Sequence, residues 1–329
     1  MPATITAISR YFPPDIYTNK YFESYLDTTD EWIVSRTGIK ERHILKEGAT
    51  SDLIVPAAIK MFNEFNIDPQ EIDAVVVATI TPDFMFPSTT AVIIDKLGLK
   101  NAWGYDLSAA CSGYNFALRS AASLVESGVA KKVLLCGGDK MSSITNYNDR
   151  TTAILFGDAG TTCLIEMSND PNYGILDQIL AIDGSGTKFL KLPAGGSFRP
   201  PSIETVQNGE HYLYQDGQTV FKAAVVGMAD ISLQIMERNN LTREDIAYLV
   251  PHQANMRILT ATADRMGLPR EKVMINIDRY GNTTAATIPS CLSEWYQAGK
   301  LHKGDNLILS SFGAGYTFGA VLLRWNMND

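Results

Sequence analysis

Apolar positions along the chain fall into two alternating periods. Residues 51–65 set Leu53, Ile54, Ala57, Ala58, Met61, Phe62 and Phe65 at three-and-four spacing, which predicts an amphipathic helix. Ile72–Ile80 is a β-branched run broken only by Asp73, and it fits a strand buried on both faces. The same signatures recur on either side. Residues 3–12 read as a strand ended by Pro13-Pro14, and Asn19 caps a helix over Tyr21–Leu26. Another helix runs from the Asp27–Asp30 cap region to a stop at Gly38, and a further helix spans 88–97. A short strand closes at Leu107. After Cys111, the residues Tyr114, Ala117, Leu118, Ala121, Ala122 and Val125 mark one helix face. Lys132–Cys136 and Thr162–Ile165 are strands.

Glycines and prolines break residues 183–218 into a long loop or cap. A helix follows from about 218 to 238. The order is then strand Ile246–Val250, helix Asn255–Met266, strand Lys272–Ile277, helix Ala285–Ala298, and strands Asn306–Ser310 and Ala320–Trp325. This alternation is α/β. It also repeats. Asn66–Ile72 matches Asn240–Ile246, and Lys132–Leu135 matches Asn306–Leu309, each 174 positions on. The turn Phe156–Gly160 resembles Phe312–Gly315, 156 positions on. Two similar halves are expected, 1–170 and 171–329, with the helix starts at Cys111 and at Asn282–Ala285 converging on one centre.

Composition narrows the function classes. The 28 basic and 36 acidic residues give a net charge of −8, which disfavours broad nucleic-acid binding. No apolar run approaches the roughly 20 residues of a membrane span. The N-terminus lacks the form of a signal peptide. Cys111, Cys136, Cys163 and Cys291 are widely spaced, without zinc or disulfide-scaffold spacing, which points to a reducing, cytoplasmic setting.

Cys111 falls at the first turn of a helix, where unpaired N–H groups and the dipole favour a thiolate and lower its pKa. A packed core cysteine fits the same position. His252, in Val250–Asn255, ends a buried strand, where open α/β sheets place their sites. The other three histidines sit among polar or turn residues. Asn282 follows Tyr280-Gly281 at another such corner, where a helix N-cap would serve equally. Trp32 and Arg36 share a helix face. That pairing suits a stacked base beside a phosphate, and equally a surface tryptophan beside a solvated arginine.

Leu107–Gly113, Pro251–Asn255 and Tyr280–Ala286 resemble the three active-site motifs of the β-ketoacyl-acyl carrier protein synthase III family. So do Asp27–Ile33 with Arg36–Gly38, Asp149-Arg150, Phe156–Asp158 and Phe312–Thr317, in the family's order over nearly the whole chain. The resemblance implies the thiolase fold, a duplicated five-layer αβαβα arrangement, as a homodimer. It implies that Cys111 takes the acyl group of an acyl-CoA, with the oxyanion held by N–H groups of Cys111, Ala314 and Gly315. His252 and Asn282 would then hold the thioester carbonyl of malonyl-acyl carrier protein as CO₂ leaves. It further implies CoA contacts at Thr28, Trp32, Arg36, Arg150 and Asn255. Met141, Phe156 and a partner's Phe86 would form the acyl pocket. Lys222, Arg257 and Arg265 would dock acyl carrier protein, although Asp264-Arg265 stands where some relatives carry two basic residues. No cofactor, metal, nucleic acid or membrane is implied.

Neighbouring families fit less well. The turn Gly313–Gly315 lacks the second cysteine of a thiolase, and Asn282 stands where elongating synthases have a second histidine. No glutamate base precedes the nucleophile, as a hydroxymethylglutaryl-CoA synthase needs. Chalcone-synthase-like enzymes lack the Trp32/Arg36 stretch in this form. Two alternatives stay open: a condensing or acyl-transfer enzyme of secondary metabolism, and an inactive subunit that binds acyl-CoA or carrier protein.

Overall fold

Two sheets with one strand order organise the chain. A computed structural model describes residues 1–327; residues 328 and 329, the end of the expected second half, lie outside the described residues. The first half runs β1 (Ala3–Tyr11), β2 (Asp15–Thr18), α1 (Asn19–Glu23), α2 (Asp30–Thr37), β3 (Glu41–Ile44), α3 (Thr50–Glu64), β4 (Ala74–Ala78), α4 (Thr89–Leu97), β5 (Trp103–Leu107), α5 (Gly113–Glu126), β6 (Val133–Asp139) and β7 (Ala159–Met167). Then come β8 (Gly174–Ile182), β9 (Leu190–Lys191), α6 (Ile203–Gln207), β10 (Tyr214–Gln215), α7 (Gly217–Arg238), β11 (Tyr248–Pro251), α8 (Met256–Met266), α9 (Ile277–Tyr280), α10 (Thr287–Gln297), β12 (Asn306–Gly313) and β13 (Thr317–Arg324).

The first large sheet is ordered β1-β7-β6-β4-β5 and the second β8-β13-β12-β11. Strand for strand β1-β7-β6-β4 corresponds to β8-β13-β12-β11, with β4 parallel to β6 as β11 is to β12, and β5 is a fifth strand without a counterpart in the second sheet. Helices α3 and α4 cover the outer face of the first sheet, and α7 and α8 that of the second. Between the sheets lie α5 and α10, whose Tyr114, Leu118, Ile288 and Leu292 join apolar residues from both sheets in the largest core. These are the five layers αβαβα. The repeat extends to backbone conformation. Asn66 (φ 51°) and Asn240 (φ 53°) match, as do Ala110 (φ 49°) and Thr284 (φ 51°), each pair 174 positions apart.

Several expected elements differ. Thr18, not Asn19, caps α1. Asn19 is buried, and its amide donates to Ile39 C=O at 2.8 Å and Asp30 Oδ1 at 2.7 Å. The expected strand Lys272–Ile277 shrinks to one bridge, Val273 with Leu249. Beside it, the Gln253 amide donates to Met274 C=O (3.0 Å) and accepts from Asn276 N–H (3.1 Å), so a side chain fills the place of a strand neighbour. Strand β8 went unread. By length and mean composition α7 would suffice to cross a membrane, although Lys222 and Asp230 interrupt its apolar run. Its Val220, Ala224, Met228, Ile231 and Ile235 are instead buried, and it packs on β12, β13 and α8.

Candidate active site

Three chain corners meet at one cavity. Cys111 lies in a single 3₁₀ turn, Ala110–Ser112, directly before α5. Asn282 precedes the matching turn, Thr284–Ala286, before α10. His252 follows β11. All three line a cavity of about 560 Å³ with Phe312–Gly315, Asn255, Met141 and Phe156. The candidate oxyanion residues Ala314 and Gly315 are therefore in the same wall as the nucleophile. The β12–β13 hairpin grips the nucleophile turn: Ser112 Oγ donates to Thr317 C=O (3.1 Å) and Thr317 Oγ1 to Ala109 C=O (3.0 Å). Gly313 has no room for a side chain, since a Cβ would stand 2.8 Å from Cys111 N.

The thiol is not the activated group its helix position suggests. Burial, joined by the negative charge of Asp139, pushes the Cys111 pKa up to about 12, against a smaller pull from its own backbone N–H. Burial also holds His252 down to about 3. The resting pair is thus a neutral thiol and a neutral imidazole, which corrects the expected lowered thiol pKa. Desolvation outweighs the dipole of one helix turn.

His252 is fixed at both ends. Its N–H donates to Ser310 C=O (2.7 Å), and its Nδ1 lies 2.8 Å from Thr287 Oγ1. The Thr287 hydroxyl donates to Thr284 C=O (2.8 Å), so it accepts from Nδ1–H and leaves Nε2 bare towards the cavity; turned towards Nδ1, the same hydroxyl would serve the other tautomer. Asn282 is fixed more tightly still. Its N–H donates to Leu155 C=O (2.8 Å), its C=O accepts from Gly157 N–H (3.1 Å), and its Oδ1 accepts from Thr284 N–H at 2.9 Å. Nδ2 is the amide end left over. Gly281 permits this approach: its φ is 64°, and a Cβ would sit 2.8 Å from Leu155 O.

A second cluster gathers on α2. The Trp32 ring centroid lies 5.3 Å from the Arg150 guanidinium and 5.8 Å from that of Arg36. Arg150 also donates to Asp27 C=O at 2.7 Å. Thr28 Oγ1 is buried without a hydrogen-bond partner among the described residues. None of these four lines the cavity, but Asn255 does, and its Nδ2 donates to Arg36 C=O at 3.0 Å. Asn255 Oδ1 accepts from Arg257 N–H (2.9 Å) and caps α8.

Lys222, Arg257 and Arg265 are exposed on the neighbouring helices α7 and α8. Arg257 lies over the cavity-lining Phe221 (5.0 Å), whereas Arg265 is paired with Asp230. Phe86 lies outside this chain's cavity and is 86% exposed, beside exposed Phe84 and Met85. Sequence reading missed Thr284, Thr287 and Asp139. Asp139 carried a signal: it is a lone acid closing a buried strand, at the sheet edge where α/β sites form.

Comparison with known proteins places the chain in a family. Residues 105–184 match the family model described as 3-Oxoacyl-[acyl-carrier-protein (ACP)] synthase III, and residues 236–325 match its C-terminal counterpart. The chain is 54% identical over 328 residues to the Beta-ketoacyl-[acyl-carrier-protein] synthase III of Chlorobaculum tepidum, covering 99% of this chain and 100% of the other. The solved synthase III of Thermus thermophilus superposes with a TM-score of 0.91 at 43% identity, over 98% of this chain and 99% of that one. That of Pseudomonas aeruginosa gives 0.92 at 37% identity, over all of both chains.

Proposed function

Since the chain belongs to the β-ketoacyl-[acyl-carrier-protein] synthase III family, and so joins an acyl-CoA primer to malonyl-acyl carrier protein through an acyl-cysteine to open fatty-acid synthesis, we propose that Cys111, His252 and Asn282 carry the two steps. The observation behind this reading is that the three residues line one cavity.

In acylation the Cys111 proton moves to His252 Nε2 as sulfur attacks the thioester carbonyl. A resting thiol beside a neutral imidazole supports this order, because the proton must leave during attack. The oxyanion forms against N–H groups of Cys111 and the Ala314–Gly315 turn. Collapse expels CoA, whose sulfur takes the proton. In condensation, His252 in its Nε2–H tautomer, with Nδ1 accepting from the Thr287 hydroxyl, and Asn282 Nδ2 hold the malonyl thioester carbonyl. The C–CO₂ bond breaks, and its electron pair enters the enolate they stabilise. The carbanion attacks the acyl-Cys111 carbonyl, the thiolate leaves and is reprotonated, and the 3-ketoacyl carrier protein is released.

Trp32 and Arg150 sandwich the CoA adenine, while Arg36 and Thr28 meet its phosphates and Asn255 guides the pantetheine. The buried, unpartnered Thr28 hydroxyl supports a ligand there. Met141, Phe156 and the partner subunit's Phe86 bound the acyl group. Lys222 and Arg257 receive the acidic carrier protein, with Arg265 contributing less because Asp230 offsets its charge. The enzyme works in the cytoplasm as a homodimer, with halves dividing at 170/171. The unpaired edge strand β5 and the exposed Phe84-Met85-Phe86 loop support dimerisation.

Intact-protein mass spectrometry tests the reading. The chain is mixed with acetyl-, isobutyryl- and octanoyl-CoA in turn, then with malonyl-acyl carrier protein. The expected result is one acyl adduct on Cys111, discharged to a 3-ketoacyl carrier product. An adduct elsewhere, or one on Cys111 that malonyl carrier does not discharge, overturns the assignment.

A further inference from the structure

Asp139 closes β6 with a fully buried side chain. Donors surround its carboxylate. Oδ1 accepts from Thr79 Oγ1 (2.9 Å), Ile80 N (2.7 Å), Thr81 N (3.1 Å) and Thr81 Oγ1 (3.0 Å). Oδ2 accepts from Thr284 Oγ1, which comes from the second half of the chain. An acid with this many donors is tied in place, and a charged acceptor makes each bond stronger than a neutral one.

Thr284 is in the left-handed region at φ 51°, which a β-branched residue seldom enters. That bend aims its N–H at Asn282 Oδ1, 2.9 Å away. Asp139, Thr284 and Asn282 are thus linked in series, and the link decides which end of the Asn282 amide faces the cavity. The duplicated half supplies a comparison within the molecule. There the residue equivalent to Thr284 is Ala110, with the same bend at φ 49°, and Gly313 occupies the place of Asp139. The fold therefore makes this turn without a hydroxyl or a carboxylate. The tether joins the two halves and is found only at the corner that carries Asn282.

We propose that Asp139 and Thr284 are a positioning pair for Asn282, which sets the rate of the decarboxylative half-reaction and leaves enzyme acylation nearly untouched. The proposal rests on the role given to Asn282 above, and Asn282→Ala is the reference variant that tests that role by itself.

The experiment follows two half-reactions by rapid-quench mass spectrometry: acylation of Cys111 by acyl-CoA, and discharge of the acyl-enzyme by malonyl-acyl carrier protein. Thr284→Ala copies the residue already present at the equivalent turn. It is expected to acylate within about twofold of the parent and to discharge about 10- to 100-fold more slowly, the scale of a misplaced transition-state donor. Thr284→Ser restores the hydroxyl and is expected to recover discharge to within about threefold, which a loss of packing alone would not produce. Asp139→Asn keeps the size of the side chain and removes a charge that also raises the Cys111 pKa, so it is expected to slow discharge more weakly while acylation holds or quickens, and it decides the matter if Thr284→Ala does not fold. Equal losses in both half-reactions, or normal discharge in both Thr284→Ala and Asp139→Asn, overturn the pairing. If Asn282→Ala itself discharges normally, the role of Asn282 fails instead.

Discussion

A cysteine at a helix start and a cysteine set deep in an apolar cavity make opposite predictions about reactivity, and Cys111 is both. With its pKa pushed up to about 12, the ligand-free thiol is largely protonated at neutral pH. Alkylation of Cys111 by iodoacetamide is therefore expected to rise steadily from pH 7 to pH 9 without levelling, as read by mass spectrometry; a plateau near neutrality would contradict the buried thiol. Asn282 acts later. Asn282→Ala is expected to leave the acyl-enzyme forming at near the parent rate while condensation falls about 100-fold, the scale of losing one oxyanion-type donor. Comparing adduct formation with 3-ketoacyl product release checks it. Cys111 and His252 were legible because each sits at a strand-to-helix corner, and Asn282 because it follows a glycine turn directly before a helix start. The pKa of Cys111 was not, because depth of burial depends on what the rest of the chain wraps around it. Thr284 was hidden for a different reason: a threonine within a run of small residues carries no mark of its backbone angle.

Among elements, the long periodic ones were readable. Helices α3, α4 and α8 start and stop within about two residues of their expected bounds, because apolar spacing and caps agree there. The failures have local causes. In β8, Asp177 and Gln178 interrupt the apolar pattern of a half-buried edge strand. At 272–277 the apolar spacing suits a strand, but the Gln253 amide competes for the backbone partners. Tight contacts between elements are also invisible in pattern. Gly160 on β7 faces α3 so closely that a Cβ would lie 2.1 Å from Leu53 O. Backbone cannot yield as a side-chain end can. Gly160→Ala is expected to cost about 1–3 kcal/mol, the range for overpacked interiors, seen as a lower urea midpoint.

For the whole molecule, duplication supplies two equivalent corners and then differentiates them. One carries Gly313 pressed against the Cys111 backbone; the other carries Asp139 tied to Thr284. The repeat itself was visible in the sequence from matches such as Asn66 with Asn240, but only the folded chain reveals which equivalent positions have diverged. Assembly belongs to this scale as well. Phe86→Asp on the exposed Phe84–Phe86 loop is expected to shift the protein from dimer to monomer in light scattering and to lower condensation. An unchanged dimer would move the interface elsewhere.

The shared cavity has a consequence in time. Cys111, His252 and Asn282 open on one space of about 560 Å³, so the thioester arm of CoA and that of the carrier protein must occupy it in turn. Initial rates measured against both substrates should give parallel double-reciprocal lines, and excess malonyl carrier should inhibit by seating itself on the unacylated enzyme. The shape of the cavity thereby sets the order in which the cell's two acyl pools are drawn upon.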